Sequence, residues 1–176
     1  MKFEFKNHTN GFTIIELLIF ITINGLLASV ALPQFLSQAQ KAKQTEAKTF
    51  VGTMNRAQQV YYMEHQNVFA SPAHFKDLGV GKQTQTQNYI YSITGGGRGT
   101  SVVTNQAILR QVKSPLKAYT GGVSATLYPG TNDTTMTQTI LCEAAKPALY
   151  GGVMTGVVKY SAVGPPLCPV NMIVIK

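Results

Sequence analysis

The chain has 176 residues, of which 12% are charged, about half the usual share, and a net charge of +8. Its two cysteines, three histidines and seven acidic residues are too few and too dispersed for a cysteine-rich metal framework, and they argue against a paired-carboxylate hydrolase. The length allows one domain plus an anchor, and the scattered basic residues fit a solubilising charge balance better than a nucleic-acid stripe; weak attraction to DNA or anionic surfaces is the remaining option.

Residues 1–11, MKFEFKNHTNG, are polar and mildly basic, too polar for the apolar core of a signal peptide. From Gly11 to Pro33 the chain turns apolar, with Glu16 its one charge. No charge occurs from Leu17 to Gln40, and about 20 apolar residues span a bilayer as a helix. A carboxylate inside such a segment is expensive, so a partner is expected for it. Lys2 and Lys6 favour an N-terminus-inside orientation, while Lys41 and Lys43 on the far side oppose it, so charge alone does not settle topology. A secretory signal peptide cut near Ala28-Ser29-Val30 and a plain single-pass anchor are the competing readings. Neither explains a Gly-Phe junction followed by a glutamate. Thr22 and Asn24 interrupt the apolar run; Asn24 bonds either a neighbouring helix or a carbonyl of its own turn.

Pro33 lacks an amide hydrogen and is expected to kink the helix or locally melt it. The helical pattern then resumes. Leu36, Ala39, Ala47, Phe50, Met54, Ala57 and Tyr61 predict one buried face, and Gln40, Lys41, Gln44, Lys48 and Gln58 the opposite one. The helix should stop near His65-Gln66-Asn67. Residues 68–88 read as a connection with a short helical turn from Ser71-Pro72 to Leu78, ended by Gly79 and Gly81.

Strands are expected over Asn88–Thr94, Gly122–Tyr128, Thr137–Ala145 and Val153–Val163, the last broken by Gly164-Pro165-Pro166. Ser101–Val112 is ambiguous between strand and short helix, Pro129–Thr135 is a polar loop, and the apolar tail Val170–Ile175 should pack back on the domain. Gly95-Gly96-Gly97-Arg98-Gly99 predicts a turn; a phosphate-binding loop would need a following helix, and none is indicated. Cys142 and Cys168 lie beyond the membrane segment, where an even cysteine count reads as a disulfide, with free thiols as the alternative. Such a bridge would close a loop of about 26 residues and contribute roughly 3–4 kcal/mol by loop entropy. His65 and His74 with Glu64 or Asp77 could in principle hold a metal, but solvated loop histidines are the simpler reading. No catalytic constellation and no cofactor motif is found.

Gly11-Phe12-Thr13-Ile14-Ile15-Glu16-Leu17 resembles the processing site of type IV prepilins. The resemblance implies cleavage after Gly11 by a membrane prepilin peptidase and N-methylation of Phe12. It makes Phe12, Thr13 and Glu16 the subunit-assembly residues, and Gly25 and Pro33 match the helix-loosening glycine and proline of the family. The implied fold is α+β, a long helical spine with an apolar first half, packed on an antiparallel sheet with a disulfide-bounded C-terminal loop. The implied segments are a leader (1–11), a membrane and fibre-core half-helix (12–33), an amphipathic half-helix (34–64) and a β-rich head (65–176). The implied role is that of a non-enzymatic fibre subunit, stored in the inner membrane and assembled at the cell surface. Its partners would be other copies, other pilins, the peptidase, the inner-membrane assembly platform and lipid, and motility, adhesion and DNA uptake would belong to the fibre. Glu16 could pair with the Phe12 amine of its own subunit or of a neighbour. A minor pilin or a type II secretion pseudopilin, and from another class a membrane-anchored binding protein or DNA receptor, are the alternatives. The segment YYMEHQNVFASPAHFKDLGVG is also similar to the post-helix region of cyanobacterial pilins.

Overall fold

The computed structural model describes residues 11–81, 84–127, 135–161 and 164–175. It divides into two compact units, Met1–Ala39 and Gln40–Lys176. A single helical element, α1 (Ile14–Glu64), contributes to both.

In the first unit, α1 is apolar on all sides. Large side chains from Phe12 to Leu36 are exposed, none less than half. Leu36, expected on the buried stripe, is among them. It precedes the stretch of α1 that meets the rest of the chain, where burial begins at Ala47. By length and composition α1 can cross a membrane.

The second unit is built on five antiparallel strands in sequential order: β1 (Tyr89–Gly95), β2 (Val102–Leu109), β3 (Tyr119–Leu127), β4 (Thr135–Ala144) and β5 (Met172–Val174). Ser101–Val112 thus resolves as a strand, and β3 and β4 each begin two or three residues earlier than the apolar pattern suggests. Tyr128 and the loop 129–134 lie outside the described residues. One face of the sheet takes the second half of α1, where Ala47, Val51, Met54, Tyr61 and Tyr62 pack with Phe69, Tyr89, Tyr91, Val103 and Val123 in one core. Phe75 and Leu78 of a 3-10 turn, Pro72–Leu78, close its edge, and Gly79 ends that turn in the left-handed conformation.

Gln58 lies on the face opposite to the one expected: it is fully buried. It belongs to the stripe 47-51-54-58-61, and its burial is compensated by hydrogen bonds. The Ala70 amide donates to Gln58 Oε1 at 2.9 Å and Gln58 Nε2 donates to the Ala70 carbonyl at 3.1 Å. Beside it, Asn55 Nδ2 donates to the Ile140 carbonyl at 2.9 Å and Asn105 Nδ2 donates to Asn55 Oδ1 at 2.9 Å. A Cβ on Gly121 would collide with Asn55 Oδ1, so β3 needs a glycine where α1 brings this amide onto the sheet.

The other face is covered by the C-terminal segment. Val153–Val163 does not form the expected strand. Its described residues are irregular apart from one bridge, Lys159 to Leu167, and the last strand is β5, in the tail. The reason is the glycines. Gly152 sits against the Lys146 main chain and Gly156 against Met172 and Pro169, with no room for side chains. The Gly156 carbonyl accepts from Gln106 Nε2 at 2.7 Å and Thr120 Oγ1 at 3.0 Å. The segment therefore crosses the strands through side-chain bonds instead of extending the ladder. Val158 seats on Gly122, where a Cβ would lie 2.7 Å from its Cγ1. Covered on both faces, β3 is buried from Tyr119 to Ala125.

Burial raises the tyrosines of this core. Tyr91 is pushed up to about 12 by burial and then by Glu46. Tyr89, Tyr119 and Tyr160 are also raised, each chiefly by burial. A raised folded-state pKa means the native state holds the phenol proton more tightly than the unfolded chain, whose tyrosines titrate near about 10. This stabilisation is complete below that value and lost as pH climbs towards 12. The head should therefore resist unfolding at neutral pH and unfold cooperatively between about pH 10 and 12. The phenolate absorbance of these four tyrosines and far-UV circular dichroism should change together; their ionisation near about pH 10 with the fold intact would contradict their burial.

Candidate functional site

Gly11, Phe12 and Thr13 precede α1 in non-helical conformation. Gly11 has open space around it, and Phe12 is 75% exposed. The scissile bond implied by the sequence, Gly11–Phe12, is thus accessible on a non-helical main chain. Helix begins two residues before the implied buried charge, and the local chemistry explains why. Thr13 and Glu16 form a capping box. Glu16 Oε2 accepts from the Thr13 amide at 2.9 Å and from the Thr13 hydroxyl at 2.7 Å. The Glu16 amide donates back to Thr13 Oγ1 at 3.3 Å. Two main-chain donors that a helix start leaves unpaired are satisfied, and the carboxylate lies in the first turn, where the helix dipole favours negative charge.

The capping box is a feature the sequence reading missed. Its signal was available, since Thr-x-x-Glu before an apolar run is the capping-box spacing. The consequence is chemical. The Glu16 carboxylate has hydrogen-bond partners within its own chain.

Gly25 and Pro33 both lie inside α1. The Pro33 ring nitrogen leaves the helical ladder short of one donor. Polar side chains in this half satisfy themselves on their own helix. Asn24 Nδ2 donates to the Phe20 carbonyl at 2.7 Å, Thr22 Oγ1 to Ile19 at 2.9 Å and Ser29 Oγ to Leu26 at 2.7 Å. Of the two readings for Asn24, the chain makes the local one.

At the other end, Cys142 and Cys168 form a disulfide with a Cα separation of 5.8 Å. Cys142 is fully buried on β4, opposite Thr120 of β3. The bridge fastens the C-terminal loop to the outer face of the sheet. The sequence-predicted residues thus fall into separate places: Gly11 to Glu16 at the start of α1, Gly25 and Pro33 along it, and the cysteines in the head. His65 stacks on Tyr61 with ring centroids 3.8 Å apart and its Nδ1 donates to the Tyr61 carbonyl, while His74 Nδ1 bonds Ser71 Oγ. Among the described residues no group of three or more His, Cys, Asp or Glu side chains assembles a metal site.

The family model described as type IV pilin-like G and H matches residues 44–159, which is most of the head and the half of α1 that packs on it. The type IV major pilin protein PilA of Myxococcus xanthus is 40% identical over 61 residues, 35% of this chain and 28% of that protein. The fimbrial protein EcpC of Eikenella corrodens is 33% identical over 98 residues, 56% of this chain and 61% of that protein. The type II secretion system core protein G of Pseudomonas aeruginosa is 32% identical over 68 residues, 39% of this chain and 46% of that protein. The chain thus spans less than two thirds of the length of the curated relatives it matches. No solved structure matches. With a family model covering well over half of its residues, an apolar N-terminal helix continuing onto an antiparallel sheet, and a disulfide across the C-terminal loop, the chain belongs to the type IV pilin-like G and H family.

Proposed function

We propose that this chain is the structural subunit of a type IV pilus, without catalytic activity of its own. The observation that carries the reading is the exposed apolar half of α1, which opens on the Thr13–Glu16 capping box just after an accessible glycine. Such a surface needs a solvent other than water. In the subunit's life it would have two in succession: inner-membrane lipid during storage, and the same segment of other copies in the fibre core.

In this account a prepilin peptidase cuts after Gly11, and the Phe12 amine it frees is methylated. That amine lies one residue before Thr13, within a turn of the Glu16 carboxylate, and pairs with a Glu16. A neighbour's Glu16 at the same level would set the axial register of each incoming subunit. Gly25 and Pro33 give the core helix the freedom to lengthen or bend on assembly. The head forms the fibre wall, held by the disulfide, and any weak affinity for DNA or anionic surfaces follows from its positive charge. Subunits enter from the inner membrane through an assembly platform and end outside the cell.

Gly11→Val tests this reading. Unprocessed precursor should accumulate in the membrane fraction and sheared surface filaments should lack the variant; filaments built normally from it would refute the proposal. A second reading, a type II secretion pseudopilin, is favoured by the similarity to core protein G. The disulfide-fastened tail favours the pilus subunit, and sheared surface filaments consisting mainly of this chain would decide for it. A membrane-anchored binding protein or DNA receptor would remain cell-bound on shearing.

A further inference from the structure

The basic residues look scattered in sequence, but the fold gathers many of them. Two loops meet at one end of the head: 110–118, between β2 and β3, and 145–150, after β4. The Ala148 amide donates to the Leu116 carbonyl at 3.2 Å and the Leu149 amide to the Ser114 carbonyl at 2.8 Å. The same end receives the stretch of α1 that opens this unit at Gln40, since Tyr119 Oη donates to Gln44 Oε1 at 3.2 Å. Tyr89 Oη, from the start of β1, donates to the Lys117 carbonyl at 2.9 Å. Arg110, Lys113 and Lys146 are exposed on the loops, and Lys41, Lys43 and Lys48 lie on the helix. Against them stand Glu46 and Glu143, and Glu143 is already held by Lys117 at 3.0 Å in the one ion pair among the described residues. At the opposite end the Gly97 amide donates to the Phe69 carbonyl at 2.8 Å. There Arg98 stands with Glu64, and no such excess builds among the described residues.

The same two loops expose apolar side chains: Val112 is 71% exposed, Leu149 47% and Tyr150 70%. Cations interleaved with aliphatic and aromatic side chains suit a lipid–water boundary. There the apolar groups enter the headgroup layer while the ammonium groups stay among phosphates, and tyrosine is enriched at that level. Gln40 follows Leu36, the last large exposed side chain of the apolar half, by four residues. This is therefore the end of the head that is tethered to the apolar half. A second copy of the same end would meet it with like charge, whereas anionic headgroups complement its charge and acyl chains its apolar groups. We propose that this end of the head docks on an anionic phospholipid surface while the apolar half of α1 is held in the bilayer. The docking rests on the membrane-storage reading above.

The chain has no tryptophan, so Tyr150→Trp installs a single fluorescent reporter at an exposed position. The full chain is reconstituted in vesicles of phosphatidylcholine, with or without phosphatidylglycerol, and bromine-labelled acyl chains read contact between reporter and lipid. In the anionic vesicles the emission should shift to shorter wavelength and be quenched, and high salt should reverse both. Lys113→Gln and Lys146→Gln, each added to the reporter chain, should lower the ratio of docked to undocked heads about fivefold. A separate variant, Leu18→Trp, reports insertion of the apolar half and should be quenched in both vesicles. Quenched Leu18→Trp with unquenched Tyr150→Trp in anionic vesicles would overturn the docking and leave membrane storage standing. Unquenched Leu18→Trp would overturn membrane storage, and the docking with it. Tyr150→Trp quenching that is equal in neutral vesicles and indifferent to salt would overturn the anionic assignment. A blue shift without bromolipid quenching that grows with protein density would overturn it too, because a second copy would then cover the surface.

Discussion

Glu16→Leu should leave cleavage after Gly11 unaffected and reduce sheared fibre by about a hundredfold, the effect of stranding one member of a desolvated charge pair. The proposed peptidase site precedes the carboxylate and is non-helical and exposed, so in this account processing has no need of Glu16. Assembly does, in the proposed account, because the Phe12 amine enters an apolar core and must find a carboxylate there. The capping box adds a second arm to the experiment. Thr13→Val removes the hydroxyl that Glu16 accepts from, but keeps the carboxylate. Losing a helix cap alone should change assembly by no more than about fivefold. If Glu16→Leu and Thr13→Val proved equally mild, Glu16 would be a helix cap and nothing more. Quantitative blotting of sheared and membrane fractions separates the outcomes.

Asn55→Leu should destabilise the head by about 3 kcal/mol and lower its melting temperature by about 10 °C. Asn55 is 5% exposed and sits between the Ile140 carbonyl and Asn105 Nδ2. Leucine fills a similar volume but leaves both groups buried without their partner; Asn105 keeps only a 3.5 Å contact from Gln58 Nε2. The double variant Asn55→Leu with Asn105→Leu should recover part of the loss, since removing both members of a buried pair costs less than removing one. A single variant as stable as the parent, measured by thermal melting of the full chain in micelles, would mean these amides do not hold α1 on the sheet.

Much of this architecture is written in local pattern. The apolar run with one glutamate, the break at His65-Gln66-Asn67, the glycine turn at 95–99 and the cysteine pair all act through nearest neighbours or composition, and each can be read residue by residue. The left-handed φ of Gln66 and Asn67 and of four of the five turn residues shows why: those conformations are encoded where they occur. The misreadings involve side chains whose partners are distant in sequence. Gln58 looked solvent-facing because glutamine is polar, yet its partner is the main chain of Ala70, reached only after the helix ends and the chain turns back. Val153–Val163 looked like a strand because its residues have β propensity, yet the close approach of Gly152, Gly156 and Gly122 to their neighbours directs it across the sheet. The capping box is different. Thr13 and Glu16 carry a local signal that was legible, but Glu16 had been read only for its charge in an apolar segment.

The central claim is that the exposed apolar half of α1 is a fibre core made available by a single cut. Intact-mass and N-terminal peptide mass spectrometry of the chain recovered from sheared surface filaments tests it most directly. The account predicts a mature chain that begins at Phe12, carries one methyl group on its amine and retains the Cys142–Cys168 bridge. A chain beginning near Ala31 or later would lack the apolar half altogether. That result would make the segment a discarded signal and contradict the account.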